Sequence, residues 1–272
     1  HEDRYFEYGY LGKYSTSKIP TYELVDEITI DGVTYENVYV LNSWDYDTSY
    51  TFQDLNFNPE AARFTEQIYE LFPTNWENFP YGVGNWMNKD QLQLRGGLLN
   101  GQNPYPVYGL WNSQGSIANR VGYSNNEKYR GTLQFDVTYK SHNFFIGFEY
   151  LKEIERSYSV NPLALWGRMR SMTNNHLLQL DMSNPQMDQI SNNIIYFYRM
   201  YDEPSQFTFD KNLRAKLGLP VDGLDFILTD SYDMVNNTID YYDKDGILRT
   251  ITTNGDLYSL DMFSPEELLN NG

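Results

Sequence analysis

Carboxylate side chains are the most abundant groups in this sequence that could take part in chemistry. Asp and Glu make up 37 of the 272 residues. Several of them lie adjacent or two apart, at Asp45/Asp47, Glu153/Glu155, Asp243/Asp245 and Glu266/Glu267. Glycosidases use two carboxyl groups at a set separation across a sugar site. In so acidic a chain these spacings also arise by chance, and a solvated acidic surface is the preferred interpretation.

Two acidic loops carry the hard oxygen ligands that calcium prefers. One contains Asp45 and Asp47, and the other contains Asp243 and Asp245 within the run DKDG. Neither is the twelve-residue calcium loop of the helix–loop–helix motif, because the glutamate at position 12 is missing. DKDG is also typical of a turn, which is the preferred interpretation. Calcium is therefore the one candidate cofactor, and otherwise we expect none.

The composition excludes several classes of catalyst. The chain has no Cys and three His, at 1, 142 and 176, so thiol catalysis, disulfides, Cys-based zinc sites and a His-rich metal centre are excluded. No nucleophile elbow, zinc-protease motif or phosphate loop is present. A net charge of −17 opposes a nucleic-acid partner, which needs Lys and Arg at its phosphates. We therefore expect no catalytic residues and no enzyme activity.

Aromatic side chains offer recognition instead. Residues 73–126 are dense in Gly, Pro, Asn and rings, which is typical of a long irregular region. Rigid rings stack on sugars and peptides, so this region supplies candidate substrate-binding residues. They are Trp76, Trp86, Tyr105 and Trp111. The alternative, rings that fill a loop-rich core, stays open for each of them.

The elements that must position these residues are mainly β with a few short helices. Asp31-Gly32, between two β-rich runs, predicts a hairpin over 22–41. Asn58-Pro59 predicts an N-cap and a helix over 59–72. Similar signals predict helices near 162–180, 209–217 and 264–270.

Residues 127–158 form the most informative stretch. Apolar and polar side chains alternate along 129–139, a polar turn follows at 140–143, and a less regular apolar alternation returns along 144–151. Two strands of about ten residues with a tight turn and long flanking loops are typical of an outer-membrane hairpin. A half-buried hairpin of a soluble protein has the same period, so both interpretations stay open.

An ordered set of stretches resembles one protein family. They are HEDRYFEYGYLGKY, GGLLNGQNPYPVYGLWNSQG, the hairpin YRGTLQFDVTYKSHNFFIGFEY, FDKNLRAKLGLPVDGLD and DMFSPEELLNNG. Together they are similar to the Oar-like TonB-dependent receptors of Bacteroidetes outer membranes. The similarity covers most of the chain, except for a stretch around 230–256.

The resemblance implies part of a large transmembrane β-barrel. A 22-stranded barrel would take about 220 residues in strands alone, at ~10 per strand, so we expect a fragment of barrel wall with large extracellular loop regions. Residues 1–126 and 159–272 would be extracellular, and 127–158 would span the membrane with its 140–143 turn in the periplasm. The lipid-facing side chains would be Leu133, Phe135, Val137, Ile146 and Phe148.

The function implied is energy-coupled transport of a peptide, protein or glycan cargo across the outer membrane. The implied partners are the rest of the barrel and its plug, TonB acting through other parts of the protein, membrane lipid, and, as a candidate, a surface lipoprotein. Two alternatives remain: a soluble, surface-exposed β-rich module that binds glycan or protein, and a glycoside hydrolase domain. Exposure of the five lipid-facing side chains discriminates between the first two interpretations.

Overall fold

The computed structural model describes residues 4–17, 21–30, 32–43, 49–72, 87–103, 120–187 and 194–269. It divides into two compact units, one formed by residues 1–114 and 163–272 and the other by residues 115–162. The architecture is mainly β with a few short helices, as the sequence predicts. None of the helices in the described part of the chain is long and apolar enough to cross a membrane.

The first unit contains three small sheets of described residues. Their strands are β1 Gly12–Ser17, β2 Thr21–Ile30, β3 Val33–Ser43, β4 Ser49–Asp54, β7 Gln186–Met187, β8 Ile194–Tyr196, β9 Phe226–Ile227, β10 Thr238–Tyr242 and β11 Leu248–Thr252. β1 pairs with β4 in one sheet, the second sheet has the order β2-β3-β8-β7, and the third has the order β11-β10-β9. The second unit contains β5 Val121–Tyr139 and β6 His142–Val160.

The hairpin of β2 and β3 turns where the sequence predicts. Ile30 pairs with Val33 across Gly32, whose φ of 79° is accessible to glycine at little cost. β3 then pairs in parallel with β8. Val38 and Ile195 from these two strands are buried together beneath this sheet.

Five α-helices are present among the described residues: α1 Pro59–Leu71, α2 Lys89–Leu94, α3 Pro162–Met172, α4 Thr208–Leu217 and α5 Pro265–Leu269. Asn58 precedes α1, but its side chain does not cap the helix. Instead its amide Nδ2 donates to the carbonyl oxygen of Tyr10 at 2.7 Å, so the residue ties the helix start to the N-terminal segment.

α3 is shorter than the helix predicted near 162–180. Asn174 adopts a left-handed conformation with φ 61°, which a continuous helix cannot accommodate. A separate turn of 3₁₀ helix follows at Asn175–Leu177. The apolar periodicity of the sequence continues through this break, and both segments bury side chains, Met169 and Met172 before it and His176 and Leu177 after it.

An aromatic cluster forms the centre of the first unit. The Trp166 ring on α3 is fully buried, and its centroid lies 5.5 Å from Phe6 and 5.9 Å from both Tyr10 and Tyr258. Offset and edge-to-face pairs of this kind add roughly 0.5–1.5 kcal/mol each beyond their buried area. These four rings therefore pack together chain segments that lie far apart in sequence.

The second unit is an antiparallel hairpin with two strands of 19 residues each. Tyr139 pairs with His142, so the turn consists of Lys140 and Ser141 alone. It is tighter than the four-residue turn predicted over 140–143, and the strands are longer than the predicted 127–158. The turn is tight because Lys140 adopts a φ of 58°, a sterically costly conformation for a lysine.

Candidate functional site

One face of the β5–β6 hairpin is apolar over three consecutive cross-strand pairs. Leu133 lies opposite Phe148, Phe135 opposite Ile146, and Val137 opposite Phe144. These side chains are among the exposed large apolar residues of the chain. The exposed fractions of the five predicted lipid-facing residues are 58% for Leu133, 55% for Phe135, 50% for Val137, 60% for Ile146 and 60% for Phe148.

Tyrosines mark both ends of this apolar face. Tyr129 and Tyr150 lie at the end away from the turn, and Tyr139 lies at the turn. All three are at least half exposed. The ten residue steps from Tyr129 to Tyr139 cover about 34 Å at ~3.4 Å per residue. An apolar band bounded by amphipathic rings is thus built into one side of the hairpin.

The opposite face of the same strands is mostly polar. Nζ of Lys128 lies 3.3 Å from Glu153, and Nε of Arg130 lies 2.7 Å from Glu149. These pairs are exposed, so each adds little to stability in water, but they separate the two faces chemically. Phe145 and Leu151 interrupt the polar pattern on β6, in agreement with the weaker alternation of its sequence.

The outer edges of β5 and β6 are also unoccupied within the described residues, because each strand pairs only with the other. An isolated two-stranded hairpin is marginally stable in water. An unpaired edge presents a row of backbone N–H and C=O groups that can pair with another strand. Within the described ranges, neither outer edge of the hairpin is paired, and the side chains of both its faces are largely exposed.

The candidate calcium residues are only partly described. Asp45 and Asp47 lie outside the described residues. At Asp243, Oδ1 accepts the backbone N–H groups of Ile247 and Asp245, and Oδ2 accepts Nε of Arg249 at 3.0 Å. The hydrogen bond from Ile247 and those from its other donors lower the pKa of Asp243 below its ordinary value. The carboxylate is thus engaged in its own turn, and no group of three or more acidic or His residues placed to bind a metal occurs in the described ranges.

The four candidate substrate-binding rings, Trp76, Trp86, Tyr105 and Trp111, lie outside the described residues. Their role stays a prediction.

The structure contains a buried polar cluster that the sequence analysis did not predict. Asp210 and Arg214 lie one turn apart on α4 and are fully buried, with Nε of Arg214 2.8 Å from Oδ2 of Asp210. The same carboxylate lies 3.4 Å from Nδ1 of His176, and Oδ1 accepts the backbone N–H of Asn174. In the sequence, the Asp-x-x-x-Arg spacing is the signal that could have indicated this pair, but helices at the surface often have the same spacing.

Burial dominates the titration of His176. Its side chain is fully buried, and desolvation lowers the pKa to about 4 although the nearby carboxylate of Asp210 acts in the opposite direction. The imidazole is therefore neutral at pH 7. It packs edge-on against the Tyr201 ring at 5.5 Å, so it serves as part of the core.

The chain matches no protein-family model, no curated protein and no solved structure. Inference about its function therefore depends on the geometry of the two units and on the chemistry of their residues.

Proposed function

We propose that the chain is a segment of an outer-membrane β-barrel receptor of the TonB-dependent type. Its β5–β6 hairpin forms part of the barrel wall, and its first unit belongs to the extracellular regions that meet the cargo. The observation that carries the proposal is the exposed apolar face of the hairpin between Tyr129 and Tyr139.

The free energy of this face supports a lipid environment. Complete burial of a Val, Leu, Ile or Phe side chain is worth about 1.5–3 kcal/mol. Leu133, Phe135, Val137, Ile146 and Phe148 are each exposed by half or more, so in water a large part of that free energy would be lost. In a bilayer the same side chains would face hydrocarbon, while the ion pairs of the other face would line an aqueous lumen.

The dimensions support the same assignment. Barrel strands tilt by roughly 35–45°, and the apolar band of outer-membrane barrels is about 25 Å tall with aromatic residues at both borders. The length of about 34 Å between Tyr129 and Tyr139 projects to roughly 24–28 Å at these tilts. The two-residue turn at Lys140 and Ser141 is also typical of the short periplasmic turns.

The unpaired edges of β5 and β6 agree with a barrel as well. Backbone groups in lipid must be satisfied within the protein, which closed barrels achieve by pairing every strand on both sides. The neighbouring strands would come from other parts of the receptor. Energy would arrive from TonB through such other parts, and the cargo would be a peptide, a protein or a glycan.

The experiment that tests the proposal uses the absence of Cys from the sequence. Single cysteines at Phe135 and at its neighbour Gln134 are labelled with an environment-sensitive fluorophore in outer-membrane vesicles from cells that express the protein. Lipids with a quencher in the acyl chain should quench the label at 135, and a water-soluble quencher should reach the label at 134. Equal access of the aqueous quencher to both positions would exclude a membrane-spanning hairpin.

The competing function is a soluble β-rich module that binds glycan or protein at the cell surface. The first unit favours this function because its aromatic cluster forms a core around Trp166. In that case the apolar face of the hairpin would be covered by a protein partner. The protein would then be monodisperse after extraction without detergent, whereas the barrel proposal requires detergent.

A further inference from the structure

The turn that follows β11 contains an Asn-Gly pair, Asn254-Gly255, and both of its residues are exposed to solvent. The sequence has three Asn-Gly pairs, at 100–101, 254–255 and 271–272, and the last of them lies outside the described residues. The turn belongs to the first unit, so an inference from it does not depend on the proposed function.

An Asn-Gly pair can lose ammonia without an enzyme. The backbone nitrogen of the glycine attacks Cγ of the asparagine, the bond between Cγ and Nδ2 breaks, and Nδ2 leaves as ammonia with the proton of the backbone N–H. Water then opens the resulting cyclic imide to aspartate or isoaspartate. Glycine permits the attack most readily because it has no Cβ and its backbone rotates freely. The reaction needs an unbonded asparagine amide, an unbonded glycine N–H and space for the ring.

Asn254 and Gly255 meet these requirements in the folded chain. Within the part of the chain that the structure describes, neither the side-chain amide of Asn254 nor the backbone N–H of Gly255 forms a hydrogen bond. Apart from its chain neighbours, no described atom lies within 4 Å of the position that a Cβ on Gly255 would occupy. The attacking nitrogen and the amide carbon are therefore both accessible to each other and to water.

Asn100 and Gly101 have the same two side chains in the opposite environment. Asn100 is fully buried, and its Oδ1 accepts the backbone N–H of Leu11 at 2.7 Å. The backbone N–H of Gly101 donates to the carbonyl oxygen of Gly9 at 2.8 Å. A Cβ on Gly101 would lie only 2.3 Å from Cβ of Trp166, so there is no space for a ring. This pair can react only when the surrounding structure opens.

We infer that Asn254 is a modification site at which the folded chain deamidates spontaneously, whereas the fold protects Asn100 from the same reaction. The product carries an additional carboxylate in a chain whose net charge is already −17. In the isoaspartate form, the main chain also gains a methylene group between residues 254 and 255.

This methylene enters a turn that is bonded to the aromatic core. Oη of Tyr232 donates to the carbonyl oxygen of Gly255 at 3.3 Å and accepts the backbone N–H of Leu257 at 3.1 Å. The Tyr232 ring in turn packs edge-on against the Tyr258 ring, with the centroids 5.3 Å apart. A longer main chain before Gly255 displaces its carbonyl group from Tyr232. Deamidation therefore weakens the attachment of the turn to the core.

Incubation of the full chain in mildly alkaline buffer tests the inference, once in the folded state and once in guanidinium chloride. Mass spectrometry of the peptides measures the increase of about 1 Da that accompanies deamidation. In the folded chain, Asn254 should react at least about tenfold faster than Asn100, because Asn100 requires local opening. In guanidinium chloride the two rates should agree within about threefold, since glycine follows both residues.

Two results would overturn the inference. One is a similar rate at Asn254 and Asn100 in the folded chain. The other is a rate at Asn254 that is at least about tenfold lower in the folded chain than in guanidinium chloride, because it would show that the fold protects this residue too.

Substitutions assign the reaction to its residue. Asn254→Gln should remove the mass increase from this peptide, because the longer side chain forms its ring far more slowly. Asn184→Gln is the matched control, since Asn184 is also exposed but precedes Pro185, which has no backbone N–H to react. Deamidation of the same peptide in Asn254→Gln at the rate of the wild type would refute the assignment.

Thermal melting tests the effect on the turn. Incubated wild type should melt about 2–4 °C below fresh protein, because a hydrogen bond to the core is lost. Incubation should leave the melting temperature of Asn254→Gln unchanged. An unchanged melting temperature of the deamidated wild type would overturn the weakened attachment and leave a change of charge alone.

Discussion

Asp210 and Arg214 form an ion pair of 2.8 Å in which neither side chain is exposed to solvent. Each has further partners: Gln206 donates to the carboxylate, and the guanidinium donates to the carbonyl oxygen of Asp225 at 2.7 Å. The pair thus joins α4 to the segment that leads into β9. Removal of either partner would leave the other charge buried and uncompensated.

We therefore expect Arg214→Met to lower the free energy of unfolding by about 3–5 kcal/mol. Urea denaturation followed by the tryptophan signal measures this change. Arg249→Gln is the control, because the Arg249–Asp243 pair lies at the surface and should contribute little. A similar small effect of both substitutions would show that the buried pair is not a major source of stability.

The stability of the first unit should fall in mildly acidic solution because of His176. Its pKa is lowered to about 4 in the folded chain, mainly by burial, and an unfolded histidine titrates near 6.5. Between these values the unfolded chain binds a proton that the folded chain does not, so stability is lost as the pH falls below about 6.5. From pH 7 to pH 5 the loss should be on the order of 2 kcal/mol.

Denaturant unfolding at pH 5, 6 and 7 measures this loss. His176→Gln should reduce the pH dependence of the free energy of unfolding. His142→Gln changes an exposed histidine beside the hairpin turn and should leave that pH dependence unchanged. The same pH dependence in wild type and His176→Gln would assign the acid sensitivity to other groups.

Arginine on the two faces of the hairpin should have opposite consequences. Phe135→Arg places a charge near the middle of the apolar band, where a membrane barrel loses about 2–4 kcal/mol. Gln134→Arg places the same side chain on the polar face and should be tolerated. Unfolding of the assembled protein from lipid vesicles by urea compares the two, and equal stability would argue against lipid contact at residue 135.

The tight turn of the hairpin makes a further prediction about Lys140. The φ of Lys140 is 58°, a conformation that β-branched side chains such as valine very rarely adopt. Lys140→Val should therefore destabilise the hairpin by about 1–2 kcal/mol. Lys152→Val is the matched control, because Lys152 lies within β6, where β-branched residues are favoured. Thermal melting of both variants provides the measurement. A larger loss in Lys152→Val than in Lys140→Val would contradict the role of the strained turn.

The sequence predicted those elements that depend on residues close together in the chain. The Asp31-Gly32 turn sets the β2–β3 hairpin, and the alternation along 129–139 sets the faces of β5. The end of α3 could not be predicted because Asn174 is held in its left-handed conformation by distant partners: its Nδ2 donates to the carbonyl oxygen of Ile227. The fold of the first unit depends on many such contacts between segments far apart in the chain.

The ion pair between Arg170 and Asp230 could not be predicted from the sequence for the same reason. Arg170 lies on α3, and Asp230 lies sixty residues later in the 3₁₀ turn at Thr229–Ser231. Nothing in their spacing indicates that the two side chains are in contact. The two faces of the hairpin, in contrast, consist of residues that are close in sequence and paired across the strands. Their apolar and polar pattern can therefore be predicted directly from the sequence.

The strands of the hairpin are nearly twice as long as the apolar band. Beyond Tyr129 and Lys152 they stay paired for eight more residues each, to Val121 and Val160, and the Tyr123 and Tyr158 rings stack at 5.2 Å along this part. In the proposed barrel, strands at the usual tilt would carry this extension about 20 Å above the lipid. A cargo that approached a barrel with such walls would enter a tall vestibule, confined by rigid backbone, before it reached the level of the membrane.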